Sequence, residues 1–517
     1  MSIPSFRRMA SHIGLAKAAY RLHKADQDRV SRQARRHLIE RMGKMRGLPQ
    51  KLGQILSFST ARETANPLAA ADYALLQEQG DPFPLKVVQP LLEVAWGCRL
   101  HDVVRSIDPH AHAASLGQVH SAVLKDGRPV AIKVQYPHIH EAVLDDLKLL
   151  GWLSGPVGGL RNGFNLDAYR EVILNDMEQE LDYVVEAENQ RRFTTFAASH
   201  PFLQVPQVIN EYSTSTVLVS DWREGDHWHT VCDTWPEEQR QQLARRLLDF
   251  FLESLFGLGI LHADWHPGNL RFLRKPSGPQ LLLYDFGCVY RPSRIEQLSL
   301  LRLIQATQNG SEPPLPLMLA LGFQREYLEP FADKLPALCK LLFEPFCVDY
   351  AYPVSSWQLG ERVADILGDD RLNFRIAGPP AMIFLLRAFH GLTYYLEGLQ
   401  TDIVWAPLLS NHLDRLATAM AAVPLPPTNQ TGRSFSSLAR FLKMQVLEHN
   451  QTKVQLSFNA SRIDHLGSLL DEPLQQKIHE QGIVLADIVR DVRRRGYTPG
   501  PVFDLQADNK TVRVWLE

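Results

Sequence analysis

The sequence predicts an α+β fold in which a small lobe rich in strands precedes a larger helical lobe. Three patterns support this: two strands with a turn signal within 112–137, helical periodicity over most of 226–425, and an apolar strand at 281–284 that ends in Asp285-Phe286-Gly287. The 517 residues allow two to four domains. We expect a helical N-terminal extension, the two lobes and a small α+β C-terminal domain, at residues 1–105, 106–225, 226–425 and 433–517.

The composition is that of an ordinary globular protein, without a low-complexity tract. Its five cysteines are scattered and form no CxxC pair, which indicates a reducing compartment and argues against a disulfide framework or a zinc site. No stretch of about 20 apolar residues predicts a membrane span, and no secretory signal is visible. The two most apolar helical stretches, 247–261 and 382–396, contain charged residues and predict buried amphipathic helices.

The first 51 residues are strongly basic. They contain thirteen Lys or Arg against three Asp or Glu, although the whole chain has a net charge of −2. Such a segment can lie on an anionic membrane surface, can act as a mitochondrial transit peptide, or can be a solvated helix face. All three remain open. Nucleic-acid binding is not indicated, because no interleaved aromatics and no known motif are present. Helical periodicity continues past Gly47-Leu48-Pro49 into Lys51-Leu52-Gly53-Gln54.

Two strands joined by an Asp126-Gly127 turn are predicted within 112–137. The second carries Lys133 in Ala-Ile-Lys, the position at which kinases place the lysine for the α- and β-phosphates of ATP. The preceding segment, 112–118, would then cover the nucleotide, although only Gly117 in it is free to adopt unusual backbone angles. A plain hairpin remains the alternative for this loop.

A long helix is predicted from about 167 to 196. It places Asp182 and Glu186 four residues apart on one face, where like charges repel unless a cation lies opposite. Glu186 is the expected ion-pair partner of Lys133. The alternative is a solvated acidic face. The strand predicted at 216–220 is followed by Asp221-Trp222, where a kinase hinge would offer backbone groups to adenine, so Ser220 and Trp222 are candidate nucleotide contacts.

The segment from His262 to Gly287 contains the residue types that phosphoryl transfer requires. Asp264 and Asn269 have the five-residue spacing of the kinase catalytic loop, and Asp285 opens an Asp-Phe-Gly triplet. We expect Asp264 to act as the general base, and Asn269 and Asp285 to hold Mg²⁺ through oxygen atoms. A transition-metal site made by His262, Asp264 and His266 is the alternative. After Gly287 a helix begins near 292, with no activation loop or Ala-Pro-Glu segment, which disfavours a peptide substrate.

The C-terminal part begins after a proline-rich linker at 424–432. Residues 453–458 and 511–516 alternate like strands and flank helical patterns within 463–495. We expect a small α+β appendage there, of unknown role.

The motif His-x-Asp-x-His-Pro-Gly-Asn at 262–269 resembles two groups, the UbiB (AarF) family of atypical kinase-like proteins and the aminoglycoside-phosphotransferase-like kinases. The Lys-x-Gly-Gln at 51–54 resembles the signature of the UbiB N-terminal extension, which the second group lacks, and therefore favours UbiB. The resemblance covers roughly 30–425. It implies a protein-kinase-like fold, ATP and Mg²⁺ as cofactors, and a covering loop at Ala113, Ala114 and Ser115, although the family usually has Ala where His112 stands.

The same resemblance implies that Glu180 and Asp182 form the family's Glu-x-Asp motif, which approaches Lys51 or the metal. Lys51, Gln54, Glu180 and Asp182 would then cover the site in place of a peptide groove. It further implies ATPase or small-molecule kinase activity in ubiquinone and isoprenoid-lipid metabolism, with a lipid or quinone precursor, an anionic membrane surface and proteins of a quinone-biosynthesis complex as partners. The expected location is cytoplasmic and peripheral at the inner membrane, or alternatively the mitochondrial matrix. A non-catalytic nucleotide-sensing scaffold and a small-molecule phosphotransferase are the competing functions.

Overall fold

A computed structural model of the chain separates into two compact units, Met1–Pro426 and Pro427–Glu517. It describes the following residues: 82–114, 116–141, 143, 166–427, 441–448, 451–459, 463, 466–467, 469–470, 472–481, 484–494, 499–507 and 510–517. Lys51, Gln54 and Ser115, the basic N-terminal segment and the proposed linker beyond residue 427 lie outside the described residues.

The first lobe of unit 1 is built on an antiparallel sheet. Its elements are α1 (Leu85–Trp96), α2 (Leu100–Val103), β1 (Val104–Ile107), β2 (His112–Ala113), β3 (Gly117–Leu124) and β4 (Pro129–Gln135). Apolar residues of α1 and α2, such as Leu92 and Leu100, share a core with Val130 and Ile132 of β4. Burial alternates along β3 and β4, as expected for strands with one face on a core. The helices at 85–103 therefore pack as part of this lobe.

Two helices follow the sheet, α3 (Leu166–Glu180) and α4 (Tyr183–Ala197). The prediction of one helix from 167 to 196 is wrong, because the chain breaks at Leu181 and Asp182. Asp182 has extended backbone angles, and its carboxylate accepts a hydrogen bond from the Val184 N–H, so it is the N-cap of α4. It does not share a helix face with Glu186.

The sheet is completed by β6 (Val217–Asp221), which pairs with β4 and follows the short β5 (Leu203–Gln204). The strand order is β1-β3-β4-β6, with β2 beside β3. The strand predicted at 216–220 is thus present, at one edge of the sheet. Residues 222–227 lead from it into the second lobe.

The second lobe is mainly helical. It begins with α5 (Trp228–Thr234) and α6 (Glu237–Leu252), which continues as a π-helical turn, Glu253–Leu258, and ends at Gly259 with a positive φ. Four short strands carry the motif residues: β7 (Leu261–His262), β8 (Leu270–Leu273), β9 (Gln280–Leu283) and β10 (Val289–Tyr290). β8 pairs with β9 and β7 with β10. One large core that includes Phe250, Phe272 and Phe286 lies beneath these strands.

The remaining helices of this lobe begin at Ser293, whose side chain and that of Glu296 form a reciprocal capping box. They are α7 (Arg294–Asn309), α8 (Pro314–Ala320), α9 (Arg325–Leu328), α10 (Leu335–Leu342), α11 (Leu359–Leu367), α12 (Arg371–Ala377), α13 (Met382–Gly398) and α14 (Ala406–Ala421). The helix expected at 382–396 is therefore present as α13. Within the described part of the chain, no helix is long and apolar enough to cross a bilayer.

Unit 2 has a four-stranded antiparallel sheet rather than the two strands predicted. Its elements are β11 (Phe441–Glu448), β12 (Gln451–Asn459), α15 (Glu472–Glu480), α16 (Leu485–Arg494), β13 (Gly500–Ala507) and β14 (Lys510–Leu516). The strand order is β12-β11-β14-β13. Leu442, Leu505 and Val514 from three strands share a core with Ile478 and Val492 of the helices. An α+β fold is thus confirmed for both units.

Candidate active site

Lys133 lies at the centre of the cleft between the two lobes. Its Nζ donates to Glu186 Oε1 at 2.6 Å and to Asp285 Oδ2 at 2.7 Å, so one ammonium joins β4, α4 and the segment after β9. The predicted Lys133–Glu186 ion pair is present, and the side chain of Glu186 is 1% exposed. The two carboxylates hold the pKa of Lys133 well above its ordinary value despite burial, so this lysine remains a cation.

The acidic partners of Lys133 are in different environments. Burial raises the pKa of Glu186 to about 7, partly offset by the adjacent ammonium. The pKa of Asp285 is lowered, because the ammonium and the Gly287 N–H, which donates to Oδ1 at 3.0 Å, outweigh its burial. Asp285 is therefore an ionised carboxylate, held in position from both sides.

His262 connects the two acidic residues of the motif through their backbones. Its Nε2 contacts the Asp285 carbonyl at 2.5 Å, and its Nδ1 accepts a long 3.4 Å hydrogen bond from the Asp264 N–H. Burial lowers the pKa of His262, which favours the neutral ring that this arrangement requires. The side chain of His262 is thus fully used for positioning, and the transition-metal alternative loses one of its three ligands.

Asp264 is bound by a residue that the motifs did not predict. Arg387 of α13 places Nη2 2.7 Å from Asp264 Oδ1, and its side chain is 4% exposed. Its Nη1 also lies 3.8 Å from the Cys288 sulfur. Neighbouring acids raise the pKa of Arg387 even though burial opposes this, so the guanidinium is a permanent cation behind the catalytic loop.

Glu180 lies in the same part of the site as Arg387, next to the Asp-Phe-Gly segment. A Cβ on Gly287 would come within 3.4 Å of Glu180 Cγ. Ligand atoms of Asp176, Glu180 and Cys288 lie within 4.8 Å of one another, a grouping that could hold a metal ion. Because Arg387 is a close electrostatic neighbour of all three, this position already has its cation.

The loop at 264–269 is held by local hydrogen bonds. His266 Nδ1 accepts from the Gly268 N–H at 2.9 Å, and Asn269 Nδ2 donates to the Asp264 carbonyl at 3.4 Å. Since the Asn269 amide nitrogen is turned toward the loop, its oxygen is the atom left for a cation. Trp265 anchors the loop from below, because Nε1 donates to the His262 carbonyl at 2.8 Å.

The strand β2 folds back onto β3. Ala113 pairs with Gln118, and the Ala114 N–H donates to the Gly117 carbonyl at 2.9 Å. A Cβ on Gly117 would lie 2.3 Å from the Val134 carbonyl oxygen, so only glycine allows this close approach of two strands. His112 is exposed at the start of the hairpin.

At the opposite end of the cleft, Ser220 pairs with Ala131 of β4. The Trp222 N–H donates to the Pro129 carbonyl at 3.0 Å and is therefore engaged within the protein. This end of the cleft is the connection between the lobes, as expected for a hinge.

The fold and these contacts define a two-lobed site of the kinase type, in which a strand lysine, a helix glutamate and an Asp-Phe-Gly aspartate meet. Residues 75–312 match the family described as ABC1 atypical kinase-like domain. This part of the chain is therefore similar to the ABC1 atypical kinase-like domain, which is consistent with the UbiB family. This agrees with the family suggested by the sequence motifs.

Several proteins to which the chain is similar have names of the same kind. The chain is similar to atypical kinase coq-8, mitochondrial, of Caenorhabditis elegans (27% identical; 68% of this chain and 46% of the relative). It is similar to atypical kinase COQ8B, mitochondrial, of Rattus norvegicus (26%; 75% and 74%). A third relative is "Probable protein kinase UbiB" of Cellvibrio japonicus (33%; 50% and 47%). The chain thus spans about half the length of the first and third of these relatives and three quarters of the second.

Proposed function

We propose that this chain binds Mg-ATP between its lobes and hydrolyses it, or transfers its γ-phosphate to a small molecule. The observation that carries the proposal is the position of Lys133 Nζ, within 2.7 Å of both Glu186 and Asp285. A lysine in this bridge is the arrangement that orients nucleotide phosphates in kinases. The other residues of the site are of the types that this chemistry uses.

The oxygen atoms at the site fit a magnesium ion. The ionised carboxylate of Asp285 and the amide oxygen of Asn269 are hard donors, and the Tyr284 N–H, which donates to the Asn269 carbonyl, places these two residues side by side. Magnesium bound there would supply charge neutralisation on the phosphates. Lys133 would contact the α- and β-phosphates, and Glu186 would hold the lysine in place.

Asp264 is the residue that we assign to the nucleophile, either water or a hydroxyl. Arg387 fixes its orientation from behind, and His262 fixes its backbone. An ionised carboxylate in a fixed orientation can position a hydroxyl and accept its proton. Ala113, Ala114 and Ser115 would cover the nucleotide, and Ser220 and Trp222 would border its base. Lys51, Gln54 and Glu180 would form the cover on the other side, whereas Asp182 acts there only through its cap on α4.

The names of the relatives suggest where this chemistry is used. Two are mitochondrial atypical kinases of the COQ8 type, and one is a UbiB kinase. We therefore assign the chain to quinone and isoprenoid-lipid metabolism, with a lipid or quinone precursor as the second substrate and protein partners in that pathway. The location would be the cytoplasmic membrane surface or the mitochondrial matrix. Mg-ATP turnover measured with and without anionic lipid vesicles tests the membrane part, since stimulation is expected.

Mg-nucleotide binding is tested by thermal shift with wild type and Asp285→Asn. Wild type should gain stability with Mg-ATP, and the variant should gain none, because it loses both the metal ligand and the charge facing Lys133. Exposed Asp233 provides the matched control, Asp233→Asn. If Asp285→Asn keeps the stabilisation of wild type, this site is not where the nucleotide binds.

A nucleotide-sensing scaffold is the second candidate function. It is favoured by the Asp264–Arg387 ion pair, because a carboxylate held by a buried guanidinium can be structural rather than catalytic. A scaffold would bind Mg-ATP without turnover, and its affinity would not depend on Asp264. Steady-state phosphate release separates the two functions.

A further inference from the structure

Tyr183 is the first residue of α4 and follows its N-cap, Asp182. The residue is 1% exposed, and its backbone N–H donates to the Ser215 carbonyl at 3.0 Å, just ahead of β6. Its side chain packs with Ala187 and Leu218. Backbone and side chain are therefore both held within the first lobe, which gives the hydroxyl a defined position.

The ring of Tyr183 lies against the ammonium of Lys133. Lys133 Nζ is 5.2 Å from the centre of the ring, within the range of a cation–π contact. The same ammonium is bound by Glu186 at 2.6 Å and by Asp285 at 2.7 Å. The aromatic face is thus a third contact of this lysine, beside the place where the proposed function puts the phosphates.

The hydroxyl of Tyr183 lies at the start of β3, next to the segment proposed to cover the nucleotide. A Cβ on Gly117 would come within 2.7 Å of the hydroxyl oxygen. The Gly117 carbonyl accepts from the Ala114 N–H at 2.9 Å. The side chain of Tyr183 therefore extends from Lys133 to the covering segment, and kinases hold the phosphates between these two parts of the site.

This hydroxyl is buried and has no hydrogen-bond partner among the described residues. Burial raises the pKa of Tyr183 far above its ordinary value, and the carboxylates of Glu186 and Asp285 act in the same direction, against Lys133. The hydroxyl therefore keeps its proton at neutral pH and can donate it. A buried donor without an acceptor costs folding free energy, and this cost is accounted for if the acceptor belongs to a ligand.

We propose that Tyr183 is a phosphate-binding residue, whose hydroxyl donates a hydrogen bond to a phosphate oxygen of the nucleotide next to Lys133. This rests on the proposed function and adds to that site a donor that the motifs did not predict. Phosphate oxygens are strong acceptors, and a hydroxyl beside an ammonium complements their charge. Because the hydroxyl is buried next to Gly117, the covering segment has to shift there for the bond to form.

The test measures stability and affinity in the same variant. Tyr183→Phe keeps the ring and removes the hydroxyl, so without nucleotide it should melt at the temperature of wild type or above it, since an unsatisfied donor is lost. In calorimetric titrations it should bind Mg-ATP about 10- to 100-fold more weakly, because the lost bond is made to a charged group. Mg-tripolyphosphate should weaken equally, whereas adenosine should stay within about twofold.

Tyr395→Phe is the matched control. Tyr395 is also buried with a hydroxyl that has no partner among the described residues, but it lies in the core of the second lobe, against Trp228 and Phe272. This variant should likewise melt at or above the temperature of wild type, and it should bind all three probes like wild type.

Several outcomes would overturn the proposal. Wild-type affinity of Tyr183→Phe for Mg-ATP would mean that the hydroxyl does not contact the phosphates. A lower melting temperature of this variant without nucleotide would make the hydroxyl a structural group, and weaker adenosine binding would indicate a general disturbance of the cleft. Failure of wild type to bind Mg-ATP and Mg-tripolyphosphate would instead contradict the proposed function.

Discussion

The guanidinium of Arg387 and the carboxylate of Asp264 form an ion pair of 2.7 Å across the base of the catalytic loop. The arginine comes from the middle of α13, and its side chain is almost completely buried. The pair joins the loop that carries the proposed catalytic carboxylate to the helical core of the second lobe. Its integrity should therefore matter for folding as well as for activity.

Replacing Arg387 by Met should be strongly destabilising. The change leaves Asp264 without its guanidinium, and Asp176 and Glu180 without their cationic neighbour. Removing one member of a buried pair costs about 3–5 kcal/mol, because the other charge stays buried. Urea unfolding followed by tryptophan fluorescence measures the loss. Arg245→Met, at an exposed site on α6, is the control. A loss below about 1 kcal/mol for Arg387→Met would show that the pair is dispensable.

The contact between Gly391 of α13 and Trp265 of the catalytic loop gives a second prediction. A Cβ on Gly391 would lie 2.3 Å from the Cβ of Trp265, so α13 can approach the catalytic loop only with glycine there. Gly391→Ala gains helix propensity but forces the loop to move, and overpacking of this kind costs about 1–3 kcal/mol.

We expect Gly391→Ala to lower the melting temperature and to reduce phosphate release from Mg-ATP. Glu397→Ala on the exposed face of the same helix tests helix propensity without the clash. A Gly391→Ala protein that is more stable than wild type, with full activity, would mean that the loop tolerates the methyl group.

His266 should make the protein acid-sensitive. Burial, reinforced by Arg387 and Arg271, lowers the pKa of His266 from an ordinary 6.5 to about 4. The unfolded chain therefore takes up a proton between pH 6.5 and 4 that the folded protein does not. The stability contributed by the neutral ring is complete above pH 6.5 and is lost as the pH falls toward 4.

His266→Asn removes this titration, and the asparagine oxygen can still accept the Gly268 N–H. The melting temperature of this variant should fall less than that of wild type between pH 7 and pH 4.5. His110→Asn, at an exposed position, is the control variant for removing a histidine. If the melting temperatures of wild type and His266→Asn fall in parallel with pH, His266 is not the source of the acid sensitivity.

The sequence predicted the parts of the site that depend on local motifs. Lys133 lies on β4, Glu186 lies on α4 and Asp285 follows β9 in the Asp-Phe-Gly segment, and the structure brings their charged atoms together. Arg387 is one of the charged residues within the apolar helical stretch 382–396 and was not predicted to be part of the site. A lone arginine in an apolar helix indicates that a buried acidic partner lies nearby. Which residue is that partner depends on tertiary packing and could not be predicted from the helix alone.

Other misses have local causes. The break before α4 at Leu181-Asp182 contains neither glycine nor proline, so helical periodicity continued through it. Aspartate is a favourable N-cap residue, so the start of a new helix after Asp182 could have been predicted. In unit 2, β13 begins with Gly500-Pro501, residues that are rare inside strands, and it was therefore not predicted. Its pairing with β14 is a long-range contact that overrides this preference.

Steady-state phosphate release from Mg-ATP by wild type and Asp264→Asn measures whether the Asp264 carboxylate acts in catalysis. Wild type should release phosphate measurably, and the variant should lose at least about 100-fold of this rate, because the carboxylate acts on the nucleophile. Mg-ATP affinity should stay within about threefold, since Asp264 is not assigned to the metal. Turnover by Asp264→Asn equal to that of wild type would contradict the assignment of this carboxylate and the catalytic role of the cleft.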